Sequence, residues 1–183
     1  TVLMMFPSEM FATEGMWVVA MLNKINEAEM QGLGLKLSKD DIYNINKASL
    51  KDAIVRFGAG FCTGEIVSDK GLVFTNHHCA YDAIQSSSTL ENNILQNGFC
   101  AKSLDQEIPI PGLTLSFLVR VEDVTASVLG AVNDNMTEAE REAAIMARNR
   151  EIVKAANESG LYNSEVKTFY AGNEFYLFVY QTY

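Results

Sequence analysis

Between Cys62 and Cys79 the chain reads strand, tight turn, strand. Residues 64–68 and 72–75 are rich in β-branched and apolar side chains, and Asp69-Lys70-Gly71 between them places a glycine where a tight turn needs a positive φ. A hairpin folded back on itself brings its two ends together. That can bring the Cα atoms within the roughly 7 Å that a disulfide tolerates. A Cys62–Cys79 bond would imply an oxidising compartment. The spacing fits equally well two buried thiols in a cytosolic core.

The elements on either side are mixed. Residues 14–30 carry a helical pattern that Gly32 and Gly34 break. Ser38 and Asp41 have the spacing of a capping box for a short helix reaching Tyr43. Residues 53–57 read as a strand, and Pro109 and Pro111 bracket a rigid, extended connection. Residues 113–121 form a strand pattern with Leu115, Phe117, Val119 and Val121 on one face. Thr137 and Glu140 open the strongest helix, which Gly160 ends. Residues 166–170 and 174–182, joined through Ala171-Gly172-Asn173, read as a hairpin. The expected class is mixed β/α with antiparallel strands.

The last residues, 175–183, are a dense aromatic and β-branched run, as in a core strand. The expectation is that this strand is an edge lacking its partners, that the chain is truncated inside a larger domain, and that expressed alone it aggregates or shows molten behaviour. Residues 1–13 are apolar without a basic segment, which fits either the remnant of a signal peptide or a mature N-terminal segment. Residues 14–183 then form the body.

With 14 Lys and Arg against 23 Asp and Glu, the net charge is −9. Such a surface argues against a protein that tracks nucleic-acid phosphates. No apolar run approaches the roughly 18 residues that span a bilayer.

His78 stands between a strand end and a cysteine. Such a histidine can act as a general base when a hydroxyl lies within about 3 Å and a carboxylate orients its other nitrogen. His77-His78-Cys79 also suggests zinc. Neighbouring side chains of a strand point to opposite faces, however, and the chain has no third histidine and no second cysteine at ligand spacing, so neither a metal nor another cofactor is expected.

At Thr75-Asn76-His77-His78-Cys79 the chain resembles the histidine segment of chymotrypsin-like serine peptidases. The stretch CTGEIVSDKGLVFTNHHCAYDAIQ, residues 62–85, resembles more closely the bacterial dipeptidyl-peptidases of peptidase family S46. EGMW at 14–17, LGLKLSKDDIYNINKASLKDAIV at 33–55 and FYAGNEFYLFVY at 169–180 carry the same resemblance. It implies part of a chymotrypsin-like antiparallel double β-barrel with added helices, in a periplasmic or secreted homodimer. It implies an activity that releases dipeptides from peptides with free N-termini. His78 is then the general base, with its side chain in the cleft and that of His77 pointing away, and Cys62 and Cys79 are the disulfide. Cys100 falls where the family often has a tryptophan, so it is expected to be a buried apolar thiol.

The aspartate and serine of that family lie in later segments with no counterpart here. No Gly-x-Ser-Gly setting occurs; Ser86, Ser87 and Ser88 are expected to be loop residues, and Asp82 a solvated helix residue. Two other readings remain: a fragment of a chymotrypsin-like endopeptidase, and a non-catalytic binding module on a degenerate peptidase scaffold.

Overall fold

The computed structural model describes residues 27–183. The expected helix from residue 14 therefore lies mostly outside the described residues; its end is the short helix α1, Glu27–Gly32. Helix α2, Lys39–Ile42, starts at Ser38, whose hydroxyl accepts from the Asp41 N–H while the Asp41 carboxylate accepts from the Ser38 N–H at 3.0 Å. A 3₁₀ turn, Leu50–Ala53, then leads into the sheet.

Six strands form one antiparallel sheet: β1 (Ile54–Phe57), β2 (Cys62–Ile66), β3 (Val73–Thr75), β4 (Leu115–Asp123), β5 (Asn163–Phe169) and β6 (Glu174–Thr182). Their spatial order is β3-β2-β1-β4-β6-β5. Between β3 and β4 lie α3 (His77–Ser86), α4 (Ile94–Asn97) and a 3₁₀ turn at Leu104–Gln106. Between β4 and β5 lie α5 (Thr125–Leu129) and the 19-residue α6 (Glu138–Ala156). The mixed, antiparallel class holds. The sheet is open, with β3 and β5 as its edges, so the described residues form no closed barrel.

The aromatic last strand is not an edge. β6 lies between β4 and β5, paired to both, and Phe175, Tyr176, Leu177, Val179 and Tyr180 are buried. The expectation of an unpartnered edge fails because β4 and β5 are supplied by the chain itself. The expectation for β4 also needs correction. Its register against β6 shifts between Leu118 and Arg120, so Leu118 faces Tyr180 while Arg120 faces Val179. This bulge breaks the strict alternation: Val119 still lines the same groove as Leu115 and Phe117, but Val121, opposite Phe178, does not continue their face. The Val121 N–H donates to the Tyr43 hydroxyl at 2.9 Å, which fastens the stretch after α2 to β4.

The most buried side chains, Val55, Val128 and Val179, belong to β1, α5 and β6. The core thus sits at the β6 end of the sheet, under α5 and α6. Toward β2 and β3 the same face is an open groove of about 1100 Å³, lined by Phe57, Ile66, Val73, Leu115 and Phe117. Among the described residues no helix is long and apolar enough to cross a membrane.

Candidate active site

The site is built on the β2–β3 hairpin. Gly64 pairs with Thr75, Glu65 with Phe74 and Ile66 with Val73. The turn closes through the Val67 N–H to the Leu72 carbonyl at 2.8 Å, with Gly71 at φ +79° and the Ser68 hydroxyl accepting from the Leu72 N–H at 3.0 Å. The Thr75 hydroxyl donates to the Thr63 carbonyl at 2.7 Å, a second tie between the two strands.

After Thr75 the chain turns directly into a helix. Asn76 is its N-cap, in extended conformation, and His77 and His78 occupy its first turn. The Cys79 N–H donates to the Asn76 carbonyl at 3.0 Å. Cys79 Sγ is bonded to Cys62 Sγ across a Cα separation of 5.9 Å, so the start of α3 is covalently held to the start of β2. Both cysteines are half-buried, whereas His77 and His78 are exposed. A ring nitrogen of His78 and the two sulfurs lie within 4.8 Å of one another. Because the sulfurs are bonded to each other, neither is a thiolate that could ligate an ion. The cluster is an imidazole beside a disulfide.

The two histidines are on a helix rather than a strand, so their side chains diverge by about 100° rather than pointing to opposite faces. His77 meets the Tyr81 ring edge-on, with centroids 5.9 Å apart, and lines a hollow of about 530 Å³ with Ile94, Leu95 and Phe99. Asp82 is exposed on α3, one turn after His78, and does not join the His78 cluster. The Ser87 and Ser88 hydroxyls donate to the helix carbonyls of Ala83 and Ile84 at 2.8 and 2.9 Å, which makes them end-of-helix residues.

Cys100 is a free thiol and is exposed, not buried as expected. It follows Gly98, whose φ of +76° ends α4, in a surface segment where Phe99 is also exposed. Sequence reasoning also missed the apolar hollow of about 520 Å³ between α3 and the sheet, lined by Phe57, Val73, Thr75, Cys79 and Ala83. Its residues come from segments far apart in the chain, so no local pattern marks it. Chemically, the arrangement offers an exposed imidazole beside a disulfide, a group that can take a proton from a hydroxyl brought within about 3 Å.

Comparison with known proteins matches residues 12–183 to the family described as peptidase S46. The chain is 45% identical over 180 residues to dipeptidyl-peptidase 7 of Capnocytophaga gingivalis, covering 98% of this chain and 25% of that protein. It is 45% identical over 169 residues to the Asp/Glu-specific dipeptidyl-peptidase of the same organism, covering 92% and 24%. The crystal structure of Porphyromonas endodontalis DPP11 in complex with substrate superposes with a TM-score of 0.78 and 39% identity, over 93% of this chain and 25% of that one. The chain therefore spans about a quarter of the length of the curated relatives it matches.

Proposed function

The chain belongs to the peptidase S46 family, and from that premise we propose that it is the part of a serine dipeptidyl-peptidase that carries the general base, His78. Residues 14–183 are the N-terminal part of the catalytic domain, preceded by a leader remnant or short segment at residues 1–13. The enzyme releases dipeptides from peptides with free N-termini, works as a homodimer and acts in the periplasm or outside the cell. The open groove beside β2 and β3 is the surface on which the rest of a double barrel packs.

One observation carries the reading. His78 stands in the first turn of α3, held to β2 through the residue that follows it. In such a site the imidazole takes the proton of the serine hydroxyl during acylation and returns it to the leaving amine; in the second half it does the same for water. The remaining parts are a hydroxyl, a carboxylate that fixes the imidazole tautomer and backbone donors for the oxyanion. Later polypeptide supplies them, so the 183-residue chain alone turns over no substrate. Equal identity to a dipeptidyl-peptidase 7 and to an Asp/Glu-specific enzyme fits a second-position pocket built elsewhere.

The test compares His78→Ala and His77→Ala in the full-length protein on a dipeptidyl chromogenic substrate. His78→Ala is expected to lower kcat by roughly 10⁴-fold or more with the fold intact. His77→Ala should do far less, because its ring lies against Tyr81. An active His78→Ala enzyme would sink the assignment. Dependence on His77 alone would reassign the base.

A further inference from the structure

The segment that carries His78 has little apolar anchorage of its own. No residue of α3 is buried, and none of β3. The main packing partner of α3 is the short helix α4, not the sheet, while the buried side chains cluster around β1, α5 and β6. Among the described residues two specific ties remain. One is the hydrogen bond from Thr75 to the Thr63 carbonyl, three residues before His78. The other is covalent and lies one residue after it, the Cys62–Cys79 bond, whose sulfurs are within 4.8 Å of the His78 ring nitrogen.

We propose that the Cys62–Cys79 bond is a positioning element for His78 and makes the peptidase sensitive to dithiol reductants: opening it slows turnover while the sheet stays folded. The inference rests on the general-base reading of His78. The chemistry balances as ordinary thiol–disulfide exchange. One thiolate of the dithiol attacks a protein sulfur, the S–S bond breaks and the other cysteine leaves as a thiolate that takes up a proton. The second thiolate of the reductant then attacks the mixed disulfide and releases the first cysteine. The dithiol, oxidised by two electrons, becomes a cyclic disulfide, and Cys62 and Cys79 end as thiols. Both cysteines are half-buried, so a small dithiol can reach them.

Physically, opening the bond frees the first turn of α3 to move on the hairpin. Low burial makes such a segment the first to open locally. Proton transfer in a triad needs the base within hydrogen-bond reach of the hydroxyl, and a displacement of about 1 Å can cost about 10²-fold in rate. The loss falls on kcat, because the moved group acts in the transition state and does not itself hold the substrate.

The experiment uses the full-length enzyme with Cys100→Ser, which removes the exposed free thiol from exchange. Kinetic constants and thermal melts by circular dichroism are measured for the oxidised enzyme, after dithiothreitol, and after its removal and reoxidation. A Cys62→Ser/Cys79→Ser variant is treated the same way. The expected result is a fall in kcat of about 10- to 100-fold with KM changed less than about twofold, recovered on reoxidation. The double-serine variant should start slow and ignore the dithiol. An unchanged kcat after the bond opens overturns the proposal. So does global unfolding on reduction, since the bond would then hold the fold rather than the histidine. His78→Ala is assayed alongside: if it is active, the general-base reading fails. If it is inactive while opening the disulfide leaves kcat untouched, this inference alone fails.

Discussion

Gly64 has no room for a methyl group. An ideal Cβ there would stand 2.6 Å from the Phe74 carbonyl oxygen and 2.7 Å from a ring carbon of Phe57. The first is backbone of the paired strand and cannot swing aside. Gly64→Ala should therefore push β2 from β3 and destabilise by about 1–3 kcal/mol. Urea unfolding reads this directly, and an unchanged midpoint would mean that the hairpin yields freely. The same hairpin shows what single residues disclose. His78 is conspicuous in the sequence because a histidine next to a cysteine at a strand end is a rare local pattern. Its orientation relative to His77 is not, because whether the strand continues or turns into a helix at Asn76 depends on the sheet ahead of it. Cys100 was misjudged for a related reason: burial is decided by what packs over a residue, and nothing near position 100 in sequence reveals that.

Helix α6 is held at its start by a reciprocal pair. The Glu140 carboxylate accepts from the Thr137 N–H at 2.8 Å and from its hydroxyl at 2.9 Å, and the Thr137 hydroxyl accepts from the Glu140 N–H. These bonds from the Thr137 backbone and hydroxyl favour the carboxylate and lower the Glu140 pKa from its ordinary 4.5. The sign follows. With the folded value below the unfolded one, this stability is fully present above pH 4.5 and is lost as pH falls through the lowered folded value. Melting curves from pH 6 down to pH 3 should show Glu140→Gln losing less stability on acidification than the parent; parallel curves would refute the capping role. Thr137→Ala should cost about 1 kcal/mol at neutral pH. Elements of this kind were legible because a cap is local: Thr137 with Glu140 and Ser38 with Asp41 stand three residues apart and close as expected. The β4 bulge was not legible. An apolar alternation looks the same with or without an extra residue, and only the register against β6 exposes it.

At the scale of the whole molecule, the core and the proposed site sit at opposite ends of the sheet. Arg56 of β1 reaches over the Tyr180 ring, 4.0 Å from its centroid, and pairs with Glu165 on the edge strand β5. It thereby links β1 to β6 and β5, reaching over β4, across one face. Arg56→Met should remove both contacts and cost about 1–2 kcal/mol, a partly buried cation–π and ion pair together. Among the described residues the β3 end has no equivalent: Phe74 is 59% exposed there, while Val179 on β6 is fully enclosed. Two truncations of similar chemistry should then diverge. Val179→Ala deletes two methyl groups from a site that cannot collapse and should cost about 2 kcal/mol. Phe74→Ala should stay within about 0.5 kcal/mol, as surface changes do. Chemical denaturation of both variants checks this in the full-length protein. If Phe74→Ala proves as costly as Val179→Ala, the β3 face is covered in the folded enzyme. The segment carrying His78 would then be anchored by packing as well as by Cys62–Cys79, and its predicted sensitivity to reduction should shrink in proportion.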